Sequence, residues 1–188
     1  MLLGVAHSLT KWLFSDIHDE RQQLLCQYGL ELWLYTIIST IGLITIGILF
    51  RATLETIIIV FVFYTCQSNG GGFHASTHLK CFLTMATGLI AGLLLLQWPG
   101  IQDVAYLLGF FSVCVLLLCP LCLHQNKSYL LSNRCHLIMR SRYITICLST
   151  AFIIIYFWSK RLFSVGCIAL FLSSISRMTA ILRYHQLQ

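Results

Sequence analysis

Apolar residues run along this chain in stretches of about 20, separated by short polar breaks. A helix of that length crosses a hydrocarbon core of roughly 30 Å and satisfies its own backbone polar groups. The stretches at 30–50, 79–98, 104–123 and 162–182 fit that length. Two more, 53–66 and 143–158, are shorter, which suits a tilted or re-entrant element. The breaks fall at Arg51, at Pro99-Gly100, in a polar, basic loop at 124–142 that follows Pro120, and at Lys160-Arg161. Residues 1–27 have a different pattern. Leu2, Leu3, Val5, Ala6, Leu9, Trp12, Leu13 and Ile17 approximate a helical stripe, with Lys11, Asp16, Asp19, Glu20 and Arg21 supplying polarity. This predicts an amphipathic helix lying at the membrane interface. It lacks the basic start, compact apolar core and small-residue cleavage site of a signal peptide. The pattern as a whole predicts an all-α, polytopic helical membrane protein. Residues 1–188 form a single integral domain, with an interfacial helix at 1–27 and about six membrane segments across 28–188. The short alternating segments of a membrane barrel, an internal repeat and a domain linker are all missing.

Composition agrees with the pattern. Hydrophobic residues make up 58% of the chain and charged residues 10%, against roughly 25% charged in a soluble domain. The net charge of +6 is a topology signal. With six crossings and a cytoplasmic N-terminus, Lys11, Arg21, Lys80, Lys127, Arg134, Arg140, Arg142, Arg177 and Arg183 lie inside; Arg51, Lys160 and Arg161 lie outside. That bias follows the positive-inside rule and adds attraction to anionic lipid. A water-exposed basic face with stacking aromatics is missing, so nucleic acid is not an expected partner. Nine cysteines, an odd number and mostly inside the spans, argue against a disulfide framework. Cys119 and Cys122 have redox or metal spacing but no second pair nearby, and read as small apolar residues.

Chemistry concentrates at 67–81. Gly70, Gly71 and Gly72 close an apolar segment, His74 follows, and Cys81 comes seven residues after it. Consecutive glycines permit positive φ and close backbone approach, which suits a hairpin at the interface. Ser76 or Thr77 fits the N-cap of a helix carrying Cys81 in its first turns. A thiol near a helix start, beside Lys80 and within reach of a histidine, is the setting of a cysteine nucleophile. In one straight helix His74 and Cys81 would stand about 10 Å apart along the axis, so contact needs a break between them. Two other readings fit the same residues. The segment can be a plain polar hairpin, or His74, His78 and Cys81 can form a zinc site on one helical face.

Gly70-Gly71-Gly72-Phe73-His74-Ala75, followed by Cys81, resembles the signature of the accessory gene regulator B (AgrB) family, membrane cysteine endopeptidases of Gram-positive quorum-sensing systems. Tyr28-Gly29-Leu30-Glu31 before the first span, the chain length, and Pro120 before a basic loop agree with it. One departure is Gln67, where the family often has an arginine. The resemblance implies that Cys81 is the nucleophile and His74 the general base, with no cofactor and no metal. It implies a short precursor peptide as partner, with an amphipathic leader on the membrane and an acidic C-terminal tail. Cleavage before that tail would give an acyl-enzyme thioester, and a precursor cysteine or serine would then close a thiolactone or lactone ring. It further implies the bacterial cell membrane, a cytoplasmic active site and a homodimer. On chemical grounds the Gly71 and Gly72 amides are candidates to stabilise the oxyanion. Lys127, Arg134, Arg140 and Arg142 are candidates to attract the acidic tail.

Two further classes stay open. A small transporter or channel would need polar side chains facing one another inside the spans; Gln97, Arg177 and scattered serines and threonines are the few available. A metal-dependent intramembrane protease would need His-Glu-x-x-His or an aspartate pair, and neither is present.

Overall fold

The computed structural model describes residues 4, 8–9, 12–13, 19–71, 77–119 and 134–185. The described residues are helical apart from short turns. Six long helices follow one another: α1 (Glu20–Leu49), α2 (Thr53–Gly70), α3 (His78–Gln97), α4 (Ile101–Leu118), α5 (Arg134–Tyr156) and α6 (Lys160–His185). Five of them contain stretches long and apolar enough to cross a membrane: Arg21–Leu49, His78–Gln97, Ile101–Leu118, His136–Tyr156 and Lys160–Leu182. The protein is a polytopic helical membrane protein, as the hydrophobic pattern predicts.

Two expected boundaries move. The fifth segment is not short, and the basic loop does not extend to Arg142. Helix α5 begins at Arg134 and takes Arg140 and Arg142 into its first half. No glycine or proline interrupts 134–142, Leu137 and Ile138 provide apolar positions, and arginines extend their charge from a helix into the polar interface. Likewise α1 starts at Glu20 and runs without a break through Tyr28, so no boundary separates residues 20–27 from the first span. Gly29 is tolerated inside it.

The chain divides into two compact units, Met1–Thr45 and Ile46–Gln188. In the first, α1 leaves Leu24, Leu25, Trp33 and Ile41 exposed, as a lipid-facing helix does. Its threonines are satisfied locally: Thr36 and Thr40 donate to the carbonyls of Leu32 and Thr36 at 2.8 and 2.7 Å. A hydroxyl bonded to its own helix leaves no polar group facing hydrocarbon.

In the second unit α6 is the central helix, packed by α2, α3, α4 and α5. Val165, Ile168, Ala169 and Leu170 are buried along it. Small residues let the helices approach closely: a Cβ at Gly92 would lie 3.1 Å from Ile168, and one at Gly109 2.7 Å from Cys167 Sγ. Helices α2 and α6 run parallel and in register. Arg161 pairs with Glu55 at 2.7 Å near their starts, and Gln67 Nε2 donates to Ser176 Oγ at 2.8 Å near their ends. Helix α2 therefore runs to the same depth as α6, although with Glu55 and a polar last turn it is not among the five stretches long and apolar enough to cross a membrane. The turn before it is tight. Arg51 takes φ 54°, and the amides of Arg51 and Ala52 donate to Ile48 and Gly47, the pattern of a helix stop with a left-handed residue. The short links place the α1–α2, α3–α4 and α5–α6 turns at one end of the bundle. At the other end α2 and α4 finish and α3 and α5 begin.

Candidate active site

The Thr77 N-cap and the glycine stop of α2 frame the segment that carries the chemistry. Helix α3 starts where the sequence places a cap. Thr77 is extended, at φ −135° and ψ 149°, and its hydroxyl accepts from the Lys80 amide at 3.3 Å. That bond satisfies one of the orphan donors of a helix start. Cys81 is the fourth helical residue, its amide bonded to the Thr77 carbonyl at 3.0 Å. Its thiol is partly exposed, a free cysteine one turn into the helix. His78 and Lys80 are exposed beside it. His78 stands three residues before Cys81, so the two side chains share a face. His74 and Gly72 lie outside the described residues, and so does Lys127.

Helix α2 stops at the glycines. Gly71 takes φ 68° and ψ 168°, on the side of the map that disfavours a side chain, and its amide donates to the Gln67 carbonyl at 3.0 Å. The Gly71 N–H is thus engaged in ending the helix. An oxyanion role for it requires that bond to open. Gln67 points its amide at Ser176, so this position ties α2 to α6.

The sequence marks Arg177 only as a charge within a span; the structure gives it a place at this end of the bundle. Arg177 of α6 is 2% exposed. It donates through Nη1 to the Leu116 carbonyl at 2.7 Å and through Nη2 to Ser141 Oγ at 3.2 Å. A methyl group at Gly70 would overlap Nη2. The Cys66 thiol lies beside Arg177 and Ser173. The available signal was an arginine inside an apolar span, which marks a functional or structural position by default. Its partners, a backbone carbonyl and a serine on other helices, leave no trace in the spacing.

Among the described residues no three His, Cys, Asp or Glu side chains gather closely enough to hold a metal. The accessory gene regulator B family model matches residues 5–180, nearly the whole chain. The chain belongs to the AgrB family. Searches of curated proteins and of solved structures returned no match. Membership of the AgrB family supports a membrane processing role in quorum sensing and an enzymatic activity. Within this AgrB chain, Arg140 and Arg142 are exposed on α5, and Ser141 between them is the residue that binds Arg177. The basic positions and Cys81 therefore belong to the same end of the bundle.

Proposed function

We propose that this protein is a membrane cysteine endopeptidase that removes the acidic C-terminal tail of a short precursor peptide and promotes its cyclisation. The observation that carries the reading is the station of Cys81 in this AgrB-family chain: partly exposed, one turn into a Thr77-capped helix, seven residues after His74. In the first step Cys81 Sγ attacks the carbonyl carbon of the peptide bond before the tail. His74 accepts the thiol proton and returns it to the leaving amine as the C–N bond breaks. The product is a thioester on Cys81 and a free tail. In the second step a thiol or hydroxyl of the precursor attacks that thioester, its proton passing by way of His74 to the Cys81 sulfur as the C–S bond breaks, and the ring closes. Because a thioester keeps its acyl-transfer reactivity, the protein needs chiefly to hold the nucleophile close and water away.

The basic residues at the same end suit an acidic tail. Arg134 begins α5, and that helix has no acidic residue in its first turn. Lys127, Arg140 and Arg142 extend the same field. The orientation that puts this end in the cytoplasm of a bacterial cell is the one the lysine and arginine bias selects.

A transport pathway draws less support. Inside the spans the hydroxyls of Thr84, Thr87, Ser112, Thr145, Ser164 and Ser173 donate to carbonyls of their own helices, and among the described residues no row of polar groups is left to line a passage. The deciding experiment is co-expression with the cognate precursor and mass detection of the released tail. Wild-type protein is expected to release it and Cys81→Ala to release none. Normal release by Cys81→Ala would end the peptidase reading.

A further inference from the structure

We propose that Arg177 is a positioning residue of the peptidase site, clamping the C-terminal ends of α2 and α4 and so fixing where the His74-bearing segment leaves the bundle. The inference rests on the peptidase reading above and adds a residue to it.

A buried guanidinium is costly unless its hydrogen bonds and charge are both met. At Arg177 both terminal nitrogens have hydrogen-bond partners, and helix ends supply negative charge. The last four carbonyls of a helix have no partner within it. In α4 the Val115 carbonyl takes the Cys119 amide, and the Leu116 carbonyl takes Arg177 Nη1 at 2.7 Å. Arg177 thus caps α4 from another helix, as basic side chains near C-termini do. Nη2 lies against Gly70, the last residue of α2. Two helix C-termini, each carrying about half a negative charge, converge on one cation. Ser141 holds the guanidinium from the side of α5 at 3.2 Å, and Gln67 pins the same turn of α2 to Ser176 at 2.8 Å.

The consequence reaches the chemistry through distance along the chain. His74 follows Gly70 by four residues, and Cys81 follows it by eleven. A shift in the last turn of α2 moves the base, while α3 holds the nucleophile by its own cap. The clamp thus holds the ends of α2 and α4 at one junction. Gly70 is the reverse side of the same device, since any larger residue there pushes the guanidinium off the Leu116 carbonyl.

The test uses the purified full-length protein in detergent, with iodoacetamide as probe and each cysteine read separately by mass spectrometry. Cys81 reports the dyad. Cys167, 3% exposed against Gly109, reports an intact bundle. His74→Ala should slow Cys81 alkylation about tenfold, as loss of an activating base does. Arg177→Met and Gly70→Ala should each slow Cys81 to within about twofold of that level while Cys167 stays protected, and His74→Ala should add nothing in either background. Arg177→Lys, which keeps one donor, should restore part of the rate. Wild-type alkylation of Cys81 in Arg177→Met or Gly70→Ala, or Cys167 becoming reactive together with Cys81 in both, would reduce Arg177 to a fold-holding residue and overturn the proposal. If His74→Ala itself leaves Cys81 unchanged, the dyad reading fails as well, an outcome separate from failure of the clamp alone.

Discussion

At Cys81 the sulfur stands one turn into α3, partly exposed beside His78 and Lys80, and the substitutions that separate its roles are small. Cys81→Ala should abolish tail release with normal membrane insertion, because alanine is the best helix former. Cys81→Ser should be nearly as inactive, since a hydroxyl is a far weaker nucleophile at neutral pH than a thiol. His74→Ala should lower the rate about 10²- to 10⁴-fold, the usual weight of a general base. His78→Ala should keep substantial activity and strong chelators should leave it intact; inhibition by chelators, with His78→Ala as damaging as His74→Ala, would favour a zinc site instead. Cys119→Ala, at the end of α4, should be close to neutral. Mass detection of the tail in co-expressing cells measures all five. Cys81 and its Thr77 cap were legible in the sequence because capping and helix position are local. Arg177 was visible only as a charge in a span. What it binds, Leu116 and Ser141, comes from helices 61 and 36 residues away in sequence, and spacing carries no information about them.

The helices themselves make two stability predictions. Thr77→Ala removes the cap that the Lys80 amide uses and should cost about 1 kcal/mol, whereas Thr77→Ser should cost much less. Arg51→Gly acts in the opposite direction. Arg51 sits at φ 54°, a conformation that costs a side-chain-bearing residue about 1 kcal/mol and glycine almost nothing. The substitution should raise the unfolding temperature in detergent and leave tail release unchanged; a lower temperature would mean that the Arg51 side chain contributes more than the turn geometry costs. Membrane segments were legible by their apolar runs, but their ends were not. A boundary drawn where charges begin placed Arg134, Arg140 and Arg142 in a loop. The helix continues through them because backbone hydrogen bonding, rather than side-chain polarity, decides where a helix ends.

Seen as a whole, the five helices of the second unit alternate in direction, and this fixes which residues share a face of the membrane. Glu55 pairs with Arg161 at one end, while Arg177 with Leu116 and Ser141, and Gln67 with Ser176, mark the other. Ser68, exposed on the last turn of α2, belongs with the second group, and Gln102, exposed at the start of α4, with the first. A cysteine at each position should therefore react from opposite sides, whatever the absolute orientation. The charge bias predicts that orientation: Arg51, Lys160 and Arg161 gather at the end of Gln102, and Lys80, Arg134, Arg140 and Arg142 at the end of Ser68. In intact cells a membrane-impermeant maleimide should label Gln102→Cys and not Ser68→Cys, with the tag located by mass spectrometry against the native cysteines. Labelling of both positions from outside would mean that α2 turns back before crossing, contrary to its register with α6. Labelling of Ser68→Cys alone would invert the protein and put Cys81 outside the cell. A precursor made in the cytoplasm would then meet the proposed peptidase only after crossing, so this one experiment also decides on which side of the membrane Cys81 would meet a tail.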